Sequence, residues 1–204
     1  MPNETARVQT IPALVPAPGG AVVCASDGSC ERARIDEARL LFRSGNVIVA
    51  HAAFVAGRLK TQPAAALFDV LELFVFVRPG QPCVPSALGL ARCLGLELPH
   101  TAEDSARVLR HAAEHLLGEL SCLDEKSRSP VRALAETLGR SGWRWSPLIL
   151  DAIGRNEEKL SAIAGLDTWR GLPQWEDDAA PDKPGSLPVD ANEARARLDR
   201  KSVV

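Results

Sequence analysis

The sequence predicts an α/β core that continues into a helical extension and ends in a Pro-rich linker, and three observations carry that prediction. Short apolar, partly β-branched runs such as Ala21-Val22-Val23-Cys24-Ala25 and Val47-Ile48-Val49-Ala50 alternate with segments of helical period over the first part of the chain. Beyond Cys122 the pattern is helical with no strand-like run. From Gly171 onward Pro, Gly and acidic residues dominate, as in Pro181-Asp182-Lys183-Pro184-Gly185, which is linker composition. The expected organisation is therefore an α/β domain over 1–122, a helical extension over 123–170 and a linker over 171–204.

In chain order, the stretch up to Gly20 holds Pro2, Pro12, Pro16, Pro18 and Gly19-Gly20, and suits a short extended segment ending in a turn. Ala21–Ala25 follows as the first buried strand, bounded by Ser26-Asp27-Gly28. Ile35, Ala38, Leu41 and Phe42 recur at helical spacing and predict a helix over Glu31–Phe42, stopped by Ser44-Gly45-Asn46. Val47–Ala50 reads as a strand covered on both faces, with His51 at its carboxyl end. A helix is expected over Ala52–Lys60. Ala65–Val77 is so apolar that period cannot separate strand from helix, and the burial of Asp69 and Glu72 within it is costly unless they cap or pair. Further helices are expected over Ser86–Leu94, ending at Gly95; over Thr101–Leu120, opened by Thr101 with Glu103-Asp104 in the first turn; over Arg128–Leu138; and over Pro147–Ala164.

Composition excludes some functions. In 204 residues, 46% hydrophobic and 25% charged, the net charge is -2 and the pI is near 6.1, so the chain exerts no general pull on phosphate backbones. The five cysteines, Cys24, Cys30, Cys83, Cys93 and Cys122, lack the close spacing of zinc or redox motifs and read as reduced cytosolic thiols. The start carries no charged segment followed by an apolar one, and no apolar run reaches spanning length, so a cytoplasmic protein without membrane contact is expected.

An ordered series of segments carries a resemblance. Val47-Ile48-Val49-Ala50-His51-Ala52-Ala53-Phe54, Asp69-Val70-Leu71-Glu72-Leu73, Pro79-Gly80, Ser86-Ala87-Leu88-Gly89-Leu90-Ala91-Arg92-Cys93-Leu94-Gly95-Leu96 and His100-Thr101-Ala102-Glu103-Asp104-Ser105-Ala106 follow one another. The series resembles the second half of DEDD-type (DnaQ-like) 3′–5′ exonuclease domains. That resemblance implies a partial, degenerate RNase H-like core. Such exonucleases hold two divalent metals with four carboxylates. Here Val55 stands where the Asp beside Phe54 is expected, and Ser105 where the Asp of the His100 element is expected. The first strand, Ala21–Ala25, offers no Asp-x-Glu, and the chain from it to His51 is too short for the usual meander of strands. Asp104, one position from Ser105, points about 100° away around a helix. The degenerate positions are thus His51, Val55, His100 and Ser105, with no catalytic, cofactor-binding or metal residue in this chain.

Gly165-Leu166-Asp167-Thr168-Trp169, Leu172-Pro173-Gln174-Trp175-Glu176-Asp177-Asp178 and the segment from Pro184 to Leu198 are similar to the approach to the helicase core of alphaproteobacterial DinG-type ATP-dependent DNA helicases. That resemblance implies an accessory N-terminal region whose partner is the helicase core of the same polypeptide, with single-stranded DNA as a second partner. ATP and Mg are expected only in that missing core, since no Gly-x-x-x-x-Gly-Lys-Ser/Thr phosphate loop occurs here. Asp199–Val204 reads as an adapter-derived end. The rival readings are an active 3′–5′ exonuclease and a free-standing interaction module. His111, Glu114 and His115 share a helical face, but without a third ligand they read as surface groups rather than a zinc site. Trp143, Trp145, Trp169 and Trp175 read as hydrophobic anchors of the extension rather than base-stacking platforms, since few basic residues apart from Arg140, Arg144 and Arg170 are interleaved with them.

Overall fold

The computed structural model describes residue 8, residues 10–154, and residues 190, 192 and 195. The chain divides into two units, Met1–Leu172 and Pro173–Val204. In the second, the Asp190 carboxylate accepts the Asn192 backbone N–H at 2.7 Å. The linker and the adapter-like end otherwise lie outside the described residues, as do Trp169, Trp175 and the stretch from 155 to 164 that was expected to be helical.

The first unit is mixed α/β. Its strands are β1 (Ala13–Ala17), β2 (Gly20–Cys24), β3 (Cys30–Arg34), β4 (Ile48–Val49) and β5 (Phe68–Asp69). Its helices are α1 (Ile35–Ser44), α2 (Ala52–Leu59), α3 (Val70–Val77), α4 (Ala87–Leu94), α5 (Ala102–Ser121), α6 (Glu125–Arg140) and α7 (Ser146–Ala152). The five strands form one sheet in the order β3-β2-β1-β4-β5. β1, β2 and β3 make an antiparallel meander, and β4 and β5 run parallel to β1. Among the described residues, no helix is long and apolar enough to cross a membrane.

Three expectations change. The extended segment ahead of Gly20 is β1, the central strand, and Ala21–Ala25 belongs to the second strand. The meander therefore fits before His51, because it starts at Ala13 and turns tightly at Pro18-Gly19, where Gly19 has φ 81° and Ala17 pairs with Gly20. Pro16 is tolerated in a central strand because that turn sets an alternating ladder in which residue 16 faces away from β2. On that side β1 meets β4 only through Ala13 and Ile48, so no hydrogen bond to Pro16 is missing. Finally, Glu31–Arg34, expected to open a helix, belongs to the polar edge strand Cys30–Arg34, and α1 begins only at Ile35.

The cysteine expectation is corrected as well. The turn after Cys24 returns the chain so that Cys30 lies directly opposite it, and the two are joined as a disulfide, while Cys83, Cys93 and Cys122 are free.

Alternation along the strands builds a core on each face of the sheet. Ala13, Val22, Cys24 and Ile48 point to one side, into a cluster with Leu73 and Phe74 of α3, Leu90 of α4, Leu109 and Leu116 of α5, and Ile149 of α7. Leu14, Ala21, Val47 and Val49 face the other side, against Phe42 of α1 and Val55 and Leu59 of α2. α5 runs across the first face, and its Leu109, Leu116, Leu117 and Leu120 are each worth about 1.5–3 kcal/mol buried rather than exposed.

The 123–170 extension is not a separate layer where it is described. Trp145, fully buried, sits in the first cluster, its ring 5.1 Å from that of Phe68 in an edge-on contact and its Nε1 donating to the Asp69 carbonyl at 2.8 Å. Trp145→Ala is expected to cost about 3–5 kcal/mol through the cavity it leaves. Trp145→Phe, which keeps most of the ring and strands one buried carbonyl, should cost about 1–3 kcal/mol. Urea denaturation of the two variants checks both the size and the order of these losses.

Candidate functional site

The carboxyl edges of β4 and β5 bring His51 to Asp69, whereas the α5 start that carries His100 and Ser105 lies by β3 at the other edge of the sheet, where Arg32 pairs with Glu103 at 3.5 Å. β4 ends at Val49, which pairs with Asp69 of β5, and the chain rises through Ala50 to His51 before entering α2. His51 has φ 61°, a left-handed conformation, and its Nδ1 accepts the Phe54 backbone N–H at 2.9 Å, capping α2. Its ring is exposed and in edge contact with that of Phe54.

Asp69 is the organising acid of this edge. Only 6% exposed, its carboxylate accepts the backbone N–H of His51 at 3.0 Å, of Ala52 at 2.6 Å and of Leu71 at 3.0 Å. It therefore caps α3 on its own strand and holds the first turn of α2 on the next. Both oxygens are directed at protein donors. The sequence concern over its burial is answered by these bonds, and an acid directly before an apolar helical run is a capping signal legible without a structure.

Glu72, one turn into α3, accepts the Trp143 indole N–H at 2.8 Å. Loss of water around its carboxylate raises its pKa above the ordinary 4.5; the Trp143 bond opposes the rise, and the nearby Asp69 carboxylate adds to it. Trp143 also packs against Phe76, ring centroids 5.0 Å apart. Its neighbour Arg144 lies over the Phe68 ring at 5.0 Å and donates to the Gly45 carbonyl at 3.2 Å. These tryptophans serve as anchors, as the sequence suggested.

Phe54 and Val55 face opposite ways. Phe54 is 55% exposed, whereas Val55 is 1% exposed and sits in the second apolar cluster under α2. A carboxylate at position 55 would lie in that core rather than at a solvent-facing metal centre.

At the start of α5, Thr101 Oγ1 accepts the Asp104 N–H at 3.0 Å, and Asp104 Oδ2 accepts the N–H of Thr101 at 3.1 Å and of His100 at 3.4 Å. This is a capping box. The Thr101 hydroxyl, with the two backbone donors and Arg107, holds the Asp104 carboxyl below its usual pKa. Ser105 Oγ donates to the Thr101 carbonyl at 2.8 Å, and His100 is exposed. Asp104 is thus occupied by the helix start.

Farther along α5, His115 Nε2 meets Glu119 Oε1 at 3.1 Å, and the same carboxylate receives Arg78 in a two-point pair. His111 lies away from that pair, lining a cavity of about 370 Å³ with Arg107, Arg110 and the Ser26–Gly28 turn. Arg110 donates to the Ala25 and Ser26 carbonyls there. Among the described residues, no group of three or more His, Cys, Asp or Glu side chains is placed to hold a metal ion. The residues present do not fit a two-metal centre: β1 reads Ala13-Leu14-Val15-Pro16-Ala17, position 55 is apolar and buried, and Asp69 and Asp104 are spent on backbone donors. No family model, curated protein or solved structure matches this chain.

Two predictions follow from this geometry. Because Glu72 binds its proton more tightly folded than unfolded, it contributes stability that is present below pH 4.5 and lost as pH rises through its raised folded value. Glu72→Gln keeps an acceptor for Trp143, so its melting temperature should gain on wild type as pH climbs from below 4.5 to neutrality; parallel curves would contradict the shift. Second, Val55→Asp should destabilise by about 3 kcal/mol or more. Ser105→Asp, at a half-buried site in the first turns of α5, should stay within about 1 kcal/mol of wild type. Denaturant midpoints of the two variants read the contrast directly.

Proposed function

We propose that this chain is a non-catalytic accessory domain of an ATP-dependent DNA helicase, built on a degenerate RNase H-like exonuclease core. The observation that carries the reading is the fate of the acidic positions at the β4–β5 edge and the α5 start. Phosphodiester hydrolysis by two metals needs several carboxylates converging on open space, because each metal must be charge-balanced while touching the attacking or leaving oxygen. Here Asp69 and Asp104 are each taken up by backbone N–H groups at a helix start, and β1 supplies no carboxylate. The antiparallel meander ahead of the His51 strand, together with helices on both faces of the sheet, supports the core assignment.

The domain's work is positioning: it packs against the motor of the same polypeptide and guides single-stranded DNA toward it. Cytoplasmic residence belongs to the same proposal. ATP and Mg act in the motor, outside these 204 residues, and no step of their chemistry involves the residues described above.

Purified chain incubated with a 3′-labelled single-stranded oligonucleotide and either Mn²⁺ or Mg²⁺ is expected to leave the label at full length. Shortening that stops on chelation would return the chain to the active exonucleases. The helicase half is tested separately, by reading the parent gene downstream: a Gly-x-x-x-x-Gly-Lys-Ser/Thr segment is expected, and a natural stop directly after Leu198 would leave an interaction module instead.

A further inference from the structure

The loop between α3 and α4 is drawn tightly over α4. Gly80 turns it with φ 80°, Gln81 N–H bonds back to the Arg78 carbonyl, and Ser86 N–H to that of Val84. Gly89 permits this approach, since a Cβ at that position would collide with the Val84 carbonyl. One turn later on the same helix face stands Cys93, at the i+4 position from Gly89. Its Sγ lies 3.5 Å from the carbonyl oxygen of Pro82, the residue bonded to Cys83, while the Cys83 Sγ lies 3.3 Å from the Val84 carbonyl. Both sulfurs thus lie against the same Pro82–Val84 stretch of backbone, and both cysteines are partly open to solvent.

Both ends of this arrangement are pinned. Arg78 donates to the Cys93 carbonyl at 2.9 Å while its other nitrogens are held by Glu119 of α5. The same guanidinium stands within electrostatic reach of the Cys93 thiol. Cys83 in the loop and Cys93 in α4 are thereby held against the same Pro82–Val84 stretch of backbone, the approach that a disulfide between them requires.

We propose that Cys83 and Cys93 are a dithiol oxidation site, converted by a low-molecular-weight disulfide such as oxidised glutathione into an intramolecular disulfide that staples the loop to α4. Cys93 attacks first: its sulfur bonds one glutathione sulfur, the glutathione S–S bond breaks, and one glutathione leaves as thiolate. The Cys83 sulfur then attacks Cys93 in that mixed disulfide, the second glutathione departs, and the Cys83 proton goes to the departing thiolate. In sum, two protein thiols are oxidised and one glutathione disulfide is reduced to two glutathione thiols. The order follows from the pair itself, since loss of water, and then the neighbouring Cys93 thiol, push the Cys83 thiol up to about 11, making it the poorer first nucleophile. The proposal does not depend on the helicase reading.

The test uses the whole chain, folded, with excess oxidised glutathione, followed by alkylation of free thiols and tryptic digestion without reduction. Arg92 separates the two cysteines, so the disulfide joins the peptide Thr61–Arg92 to Cys93–Arg107. The expected result is that this joined pair replaces the two alkylated peptides, while the exposed Cys122 carries glutathione and shows that the oxidant was active. Cys83→Ser should trap glutathione on Cys93, and Cys93→Ser should leave Cys83 alkylatable. Separate glutathione adducts on Cys83 and Cys93 in the wild-type chain, or two free thiols there beside a modified Cys122, would overturn the proposal. The wild-type digest decides the matter even if a variant fails to fold.

Discussion

The Asp69 carboxylate is the interaction on which the α/β half of this chain turns. Two-residue strands such as β4 and β5 cannot hold their places by ladder bonds alone, because so few N–H and C=O groups face each other. What fixes the two strand ends is one buried acid reaching from β5 to the start of α2 while capping α3. A buried carboxylate is costly unless its lone pairs are met, and here three backbone donors meet them. The residue's own carbonyl then receives Trp145, so the same position joins the sheet edge to the helices that follow.

This constraint explains why the exonuclease resemblance and the geometry diverge. A metal-binding carboxylate must face open space with lone pairs to spare; a capping carboxylate has spent them. Asp69 and Asp104 are structural acids, each closing a helix start that would otherwise carry unsatisfied N–H groups. Val55 is the complementary case, a side chain turned into the core where burial favours an aliphatic group. Once such positions serve the fold, restoring a carboxylate at any one of them recreates no site, because the others point elsewhere.

Legibility in the sequence followed the strength of local signals. α4 and α5 were readable to within a residue or two, since Ser86, Gly95 and Thr101 are explicit caps. β1 was hidden because Pro16 and Gly19-Gly20 look like loop punctuation, and only the strand order shows that the proline faces a side where β4 has ended. β3 was hidden by its polarity: Cys30-Glu31-Arg32-Ala33-Arg34 is an edge strand with little to bury, and its charges resemble the outer face of a helix. The Cys24–Cys30 pairing depends on that missed strand, because spacing alone gives no reason to place the two sulfurs opposite each other. The positions that the exonuclease resemblance marks were legible as residue types, but the direction of each side chain was not, and Phe54 and Val55 show how much rests on direction.

The extension follows from the same logic. A helical segment that merely linked two domains would keep its tryptophans on the surface, where they could meet a partner. Trp145 instead fills the first core, and Trp143 is tied to Glu72 and Phe76, so α6 and α7 complete the core rather than follow it. Without the connector between α6 and α7, Phe76 and Glu72 of α3 would lose Trp143, and the Asp69 carbonyl its bond to Trp145. The α/β elements and the following helices therefore depend on one another, and a boundary drawn after Cys122 would divide an interface that the fold needs intact.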